Sequence, residues 1–211
     1  MKRCCLVILS LFNFYIAGMF MQAQSAFDFI SRNRNFSASN YCIYPDTVEH
    51  IMTDAPAGKK PFYISHYGRH GSRYLSNRKG YDIPYRILTK ADSCIQLERP
   101  SVHLRYGHEI IVMPLVCLLE LNDYGYSTGD LESLERHEWA DYRIFPMAAN
   151  VQFIFYRSNP QDDDVLVKVL LNENEVRLPL KSIIEPYYRW RDVREYYLQK
   201  MRNEEGGTRN E

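Results

Sequence analysis

The sequence predicts an α/β protein in which helices flank a central sheet, because candidate strands and helices alternate along its first half. Apolar runs at residues 61–65 and 101–105 are predicted as strands, and segments of helical period follow at residues 84–96 and 108–121. The composition, 45% hydrophobic and 25% charged, is that of a globular protein. A chain of 211 residues is long enough for one well-buried core.

The second half of the chain predicts a hairpin and a terminal helix. Strands at residues 148–156 and 165–171 flank the turn sequence SNPQDDD. A short third strand is expected at residues 176–180, and an acidic surface helix at residues 131–141. A helix over residues 187–201 is aromatic on one side and charged on the other, so it should pack along one face.

The first 26 residues have the pattern of a secretory signal peptide. Lys2 and Arg3 precede a long apolar run, and small and polar residues follow it up to Ala26. Cleavage there would make the protein secreted or periplasmic, with no membrane span in the mature chain. An uncleaved segment would instead leave the protein associated with a membrane, since the run is close to the minimum length of a spanning helix.

The net charge argues against two classes of binding partner. The 26 basic and 26 acidic residues cancel, which argues against a nucleic-acid binder and against a polybasic membrane arm.

After signal removal three cysteines remain, Cys42, Cys94 and Cys117, so at least one thiol is unpaired. Cys117 lies in an apolar stretch and should behave as a core residue. Cys42 and Cys94 could pair, and the sequence leaves this open.

The sequence RHGSR, directly after the first strand, carries the residues of a phosphoryl-transfer site. Arg69 and Arg73 flank His70 with permanent positive charge, which suits bidentate binding of a phosphate. Gly71 leaves room for a ligand beside the backbone. The neutral imidazole of His70 can attack phosphorus and form a phosphohistidine.

A second candidate site, LRYGHE, follows the second strand. His108 can donate a hydrogen bond to phosphoryl oxygens, and the neighbouring Glu109 can protonate a leaving alcohol. The helix that begins there adds backbone N–H donors and a partial positive charge.

These two segments resemble known signatures. HYGRHGSRY is similar to the RHGxR motif of histidine acid phosphatases, and its context PFYISHYGRHGSRYLSN looks most like multiple inositol polyphosphate phosphatases and related bacterial phytases. LRYGHEIIVMPLVCLLEL resembles their second signature, and MAANVQFIFYR resembles their C-terminal strand. The resemblance implies a mostly parallel sheet with helices on both faces and a helical cap, and it implies no metal or organic cofactor.

The resemblance also implies roles for five residues. His70 matches the nucleophile, Arg69 and Arg73 match phosphate-binding arginines, His108 matches a second phosphate-contacting histidine, and Glu109 matches the proton donor. The expected substrate is a small phosphomonoester, with inositol polyphosphates such as phytate the implied class.

Two features depart from the family pattern. Glu109 directly follows His108, where the family has Asp in that place or Glu two positions after the histidine. Only 38 positions separate His70 from His108, so most of the helical cap is expected to be missing. The predicted organisation is a signal peptide at residues 1–26, a shortened histidine phosphatase domain at 27–203 and a disordered tail at 204–211.

Two alternatives remain open. The pairs His66/His70 and His103/His108 could serve a metal, although no local Cys or Asp cluster completes a zinc set. The chain could also be a catalytically inactive, internally deleted remnant that binds phosphate or a protein partner. The oligomeric state is not predicted.

Overall fold

The structure is a computed structural model that describes residues 31–33, 50–69, 82–130, 133–137 and 139–207. Of residues 82, 109, 110, 135 and 204–207 it describes the backbone alone. The predicted signal peptide, Cys42, His70, Gly71 and Arg73 lie outside the described residues.

The described elements form one sheet and a set of helices. The strands are β1 (Lys60–Arg69), β2 (Ser101–Gly107), β3 (Asn150–Arg157), β4 (Leu166–Leu171), β5 (Asn174–Glu175) and β6 (Tyr188–Arg189). The helices are α1 (Asp82–Ile95), α2 (Glu109–Leu118), α3 (Ser133–Arg136), α4 (Asp141–Ile144) and α5 (Trp190–Gly207), with a 3₁₀ turn at Leu121–Asp123.

The sheet has the order β2-β1-β3-β4-β5, and β6 pairs with β4. This confirms the predicted α/β class, a central sheet packed against helices. The direction of the strands differs from the expectation of a mostly parallel sheet, because among the described strands β1 and β2 pair in parallel and every other pair is antiparallel. For β3 and β4 the reason is the short link between them, which permits a hairpin but not a crossover.

The two faces of the sheet are covered differently. On one face, Tyr63 and Tyr67 of β1 belong to the main core together with side chains of α1, α2 and α5. On the other face, a smaller cluster joins Ile64, Ile154 and Tyr187. The alternation of side chains along each strand explains the division, since neighbouring residues point to opposite faces.

Helical periodicity explains how the two inner helices pack. Val112, Leu115, Val116 and Leu119 are almost fully buried and recur at the spacing of one helix face. Ile87, Leu88, Ala91 and Cys94 form the corresponding stripe of α1. The hydroxyl of Tyr197 in α5 donates to the carbonyl of Leu119 at 2.7 Å, which joins the last helix to the end of α2.

A buried arginine anchors the end of α1. Arg157, the last residue of β3, lies over the ring of Phe62 with 3.9 Å between its Cζ and the ring centroid. Its guanidinium donates to the carbonyls of Ile95 at 2.9 Å and Leu97 at 2.6 Å. These bonds satisfy carbonyls that a helix end leaves without partners.

Several predicted boundaries differ from those observed. The strand that begins at Lys60 continues to Arg69, so the first part of the RHGSR sequence is on a strand and not in a loop. The single helix expected over residues 131–141 is replaced by the short helices α3 and α4. The third strand lies at Asn174–Glu175 instead of at 176–180. Among the described residues, no helix is both long and apolar enough to span a membrane.

Candidate active site

The parallel pairing of β1 and β2 brings the two sequence motifs to one edge of the sheet. The pairing is continuous from Tyr63 opposite Ser101 to Arg69 opposite Gly107. Both strands run in the same direction, so both end at the same edge. Arg69 and His108 therefore lie at the carboxyl ends of neighbouring strands, the usual position of ligand sites in open α/β sheets.

The close approach of the two strand ends depends on Gly107. A Cβ atom at this position would overlap the hydroxyl of Tyr67, which lies against the Gly107 backbone. Burial raises the pKa of Tyr67 to about 12, so the hydroxyl is protonated at neutral pH. The absence of a side chain thus lets the buried tyrosine fill the space under the end of β2.

His108 lies between the end of β2 and the start of α2. Its backbone is extended, with φ −78° and ψ 159°, and it occupies the N-cap position of the ten-residue helix. Its carbonyl accepts hydrogen bonds from the N–H groups of Ile111 at 3.0 Å and Val112 at 3.3 Å. The half-buried imidazole is thus next to a helix N-terminus, whose partial positive charge favours an anion. Glu109 is the first residue of this helix, and its side chain is not among those described.

Arg69 is held by a loop that the sequence did not indicate. Its side chain is buried, and Nη1 donates to the carbonyls of Phe145 at 2.6 Å and Pro146 at 3.1 Å. Its backbone N–H donates to the carbonyl of Ala149 at 2.7 Å. The loop at residues 145–149 leads into β3, which pairs with β1 up to Gly68 opposite Asn150. This loop is therefore a third wall of the candidate site.

Two buried asparagines lie behind this loop. Asn150 is at the start of β3 and Asn172 directly follows β4, and both are less than a tenth exposed. The Oδ1 atom of Asn172 accepts the N–H of Asn150 at 3.1 Å. The antiparallel pairing of Val151 with Leu171 places the two residues side by side. A hairpin register assigned from the sequence would have been the signal for this pair.

A second arginine lies two residues before the strand end. Arg105 of β2 donates to Oγ of Ser65 at 3.4 Å and to the carbonyl of Arg86 at 3.1 Å. Burial lowers its pKa, and the charge of Arg86 acts in the same direction. The Arg105 guanidinium therefore bonds to the backbone of α1 and to Ser65. Of the two arginines, Arg69 is the one at the end of its strand.

Of the histidines considered for a metal, His70 lies outside the described residues and His66 is on β1. Ser65 and Arg69 are on the same face of β1, whereas His66 is on the other face, 5.7 Å from the ring of Tyr106 between centroids. Burial lowers the pKa of His66, while Glu173 acts to raise it. Within the described part of the chain, no group of three or more His, Cys, Asp or Glu side chains could hold a metal ion.

Of the five predicted site residues, two have described side chains. Arg69 and His108 lie at one sheet edge, as described above, and Glu109 begins the adjacent helix. The positions of His70 and Arg73 lie outside the described residues. The roles proposed for all five remain predictions.

Comparison with known proteins gives fold-level similarity. No family model matches the chain, and no curated protein does. Solved structures that match include three of the multiple inositol polyphosphate phosphatase of Bifidobacterium longum: the apo form, the complex with phosphate and the complex with inositol hexasulfate. The identities are 23%, 23% and 24%, with TM-scores of 0.47, 0.45 and 0.46.

The matched region is a limited part of each molecule. It covers 57% of this chain but 26% to 28% of the phosphatase structures. The chain therefore spans about a quarter of the length of these structures. The similarity concerns the fold, and it assigns no role to an individual residue.

Proposed function

We propose that this chain is an exported phosphomonoester hydrolase that acts through a phosphohistidine intermediate. The observation that carries the proposal is the position of Arg69 and His108 at the ends of two adjacent parallel strands. One arginine, one imidazole and one helix N-terminus at the same edge form an environment that suits a phosphate dianion. His70 and Arg73 follow Arg69 directly in the sequence.

In the first proposed step, a neutral nitrogen of His70 attacks phosphorus and the bond between phosphorus and the leaving oxygen breaks. Glu109, as the carboxylic acid, gives its proton to that oxygen, and the alcohol departs. In the second step, the Glu109 carboxylate takes a proton from water as the water oxygen attacks phosphorus. The electron pair of the P–N bond returns to the imidazole, and phosphate is released. Arg69, Arg73 and His108 stabilise negative charge on the phosphoryl oxygens in both steps.

We further propose inositol polyphosphates such as phytate as the substrate class, on the resemblance of the two sequence motifs. A substrate with several phosphates would need cationic contacts beyond the one at the reacting centre. Export rests on the N-terminal sequence pattern and is tested by N-terminal sequencing of the protein recovered from the producing cell.

The test of the main proposal is a matched pair of assays. The chain without residues 1–26 is assayed on p-nitrophenyl phosphate and on phytate at about pH 5, where a carboxyl group can carry its proton. His70→Ala should abolish phosphate release from both substrates. His137→Ala, in a surface segment, is the control and should leave the rate unchanged. Equal rates for the wild type and His70→Ala would refute the proposal.

A second candidate function is a phosphate- or protein-binding module without activity. Two observations favour it. Nη1 of Arg69 is already bonded to two backbone carbonyls, which leaves less of the guanidinium for a ligand. Among the described strands, β2 lies at the edge of the sheet, its Val102, Leu104 and Tyr106 residues are each more than half exposed, and such edges can accept another chain. Phosphate binding without turnover would distinguish this function from the first.

A further inference from the structure

We propose that Asn172 is a positioning residue for the phosphate site, because it fastens the loop on which the Arg69 guanidinium is held. This inference rests on the proposed function for its chemical consequence, but the mechanical coupling it describes can be measured without it. Asn172 is not adjacent to any sequence motif that indicates the site. It follows β4, at the far side of β3 from β1.

The side chain of Asn172 uses both ends of its amide within the structure. Oδ1 accepts the N–H of Asn150 at 3.1 Å. Nδ2 donates to the carbonyls of Arg143 at 3.1 Å and Ile144 at 3.2 Å. The residue is 8% exposed, so water does not readily replace these bonds.

The two carbonyls bound by Asn172 directly precede the two carbonyls bound by Arg69. Asn172 holds residues 143 and 144, and Arg69 holds residues 145 and 146. Two side chains therefore bind the same stretch of backbone, and in these contacts they do not bond to each other. If the hydrogen bonds of Asn172 are lost, the carbonyls that accept from Arg69 can shift.

Backbone hydrogen bonds and burial also constrain the loop, since the N–H of Ala149 donates to the carbonyl of Pro146 at 3.1 Å and the side chains of Phe145 and Ala149 are buried. Ala148 has a φ of +62°, a left-handed conformation that costs an alanine about 1 kcal/mol or more and persists only where neighbours enforce it. Asn150, whose N–H is bound by Asn172, begins β3 immediately after this turn. The side chain of Asn172 therefore bonds to the backbone on both sides of Ala148.

Asparagine also suits the backbone of position 172. Its φ is +51°, in the left-handed region that asparagine adopts more readily than most residues. Asn172→Gly keeps this backbone conformation and removes all three side-chain hydrogen bonds. Asn172→Asp has the same size and keeps the acceptor for the Asn150 N–H, but it presents an oxygen to the carbonyls of Arg143 and Ile144.

Asn122 offers a matched control. Its φ is +48°, and its Oδ1 accepts the N–H of Arg177 at 2.9 Å, in the turn after α2. Asn122→Gly therefore removes a similar asparagine contact from a left-handed position without touching the loop at residues 143–149.

The experiment measures coupling and function separately. Amide hydrogen exchange by NMR follows the N–H of Arg69, which is bonded to Ala149, beside amides in the middle of β1. In Asn172→Gly the Arg69 amide should exchange at least tenfold faster, while the mid-strand amides change less. In Asn122→Gly the ratio between these amides should stay as in the wild type. An unchanged ratio in Asn172→Gly overturns the inference, and if that variant does not fold, Asn172→Asp is judged by the same ratio.

The functional arm uses p-nitrophenyl phosphate as substrate and inorganic phosphate as inhibitor. Asn172→Gly should lower kcat/KM and weaken phosphate inhibition by about tenfold, since a misplacement of about 1 Å is costly in catalysis. Asn122→Gly should change neither value. If the exchange ratio changes but kcat/KM and phosphate inhibition do not, Asn172 supports structure alone and the inference fails. If the wild type neither hydrolyses the substrate nor binds phosphate, the proposed function fails, and the exchange result alone decides the coupling.

Discussion

The ammonium of Lys168 lies 2.9 Å from Oε1 of Glu175, on the face of the sheet opposite to the helices. The lysine side chain is 2% exposed. Lys168 also donates to the carbonyl of Thr53 at 2.9 Å, and Glu175 accepts from the N–H and the hydroxyl of Thr53 at 2.6 and 2.7 Å. Through Thr53, this ion pair therefore binds the segment that precedes β1 to β4 and β5.

Removal of the lysine charge should destabilise the fold strongly. Lys168→Met leaves the Glu175 carboxylate without its cation, and we expect the free energy of unfolding to fall by about 3 kcal/mol. Urea unfolding at pH 7 measures the change. Lys181→Met, at an exposed position, is the control and should cost less than about 0.5 kcal/mol. A loss of similar size in both variants would contradict a structural role for the buried pair.

The hairpin turn between β3 and β4 should lose stability at low pH through Asp162. Its carboxylate accepts the N–H of Ser158 at 2.8 Å and that of Asp164 at 3.0 Å, and Lys59 lies 3.2 Å away. The Ser158 hydrogen bond is the main reason that its pKa is lowered to about 2. Because the folded pKa is depressed, the contribution is complete above the unfolded value of about 3.8 and is lost as the pH falls toward 2.

Asp162→Asn tests this pH dependence. Above about pH 4 the variant should be less stable than the wild type by about 2 kcal/mol, and the difference should shrink toward zero as the pH approaches 2. Urea unfolding at a series of pH values gives the curve. Asp163→Asn, next to it and exposed, should show no such convergence. A difference that is constant with pH would show that the charge of Asp162 is not what stabilises the turn.

The close contact at the end of β2 predicts an energetic coupling between Gly107 and Tyr67. Gly107→Ala should lower the free energy of unfolding by about 1 to 3 kcal/mol, because the new methyl group meets the buried hydroxyl. Tyr67→Phe removes that hydroxyl and should recover part of the loss in the double variant. Gly129→Ala is a control, since a Cβ there has no atom within 4 Å. Strict additivity of the two substitutions would contradict the contact.

The proposed acid role of Glu109 predicts a dependence on the leaving group. In Glu109→Gln, kcat/KM for glycerol 2-phosphate, which reports the first step alone, should fall by about 100-fold or more, because its alkoxide needs a proton to leave. The value of kcat/KM for p-nitrophenyl phosphate should fall much less, since nitrophenolate leaves without a proton. Glu120→Gln is the control, because Glu120 bonds to Tyr196 at 2.7 Å and to Lys200 at 2.8 Å in another part of the fold. An equal loss on both substrates would refute the role.

The long elements could be predicted from sequence because their signals are local. The apolar stripe of Val112, Leu115 and Val116 requires a helix, and the hairpin around SNPQDDD requires antiparallel strands. β5 was expected two residues too late and β6 was not predicted, because two-residue strands form only once a neighbouring strand is in place. The expectation of mostly parallel strands was wrong because it was taken from the family resemblance, whereas the short link between β3 and β4 requires an antiparallel pair.

The candidate site was predictable in part for a similar reason. Arg69 and His108 stand out because they lie at the ends of strands within recognisable motifs. The loop that binds Arg69 acts through the carbonyls of Phe145 and Pro146, and a backbone carbonyl has no signature in the sequence. Asn172 joins the site through strand register, which depends on tertiary pairing across 22 positions.

The pairing of β1 with β2 fixes where both strands end, so the position of these ends does not depend on the length of the connection between the strands. Arg157 fixes the carbonyls at the end of α1, and strand pairing fixes β2 from Ser101 onward. The exposed residues Glu98, Arg99 and Pro100 lie between these two anchors. We therefore expect that an insertion at these residues would leave the edge that holds Arg69 and His108 in place.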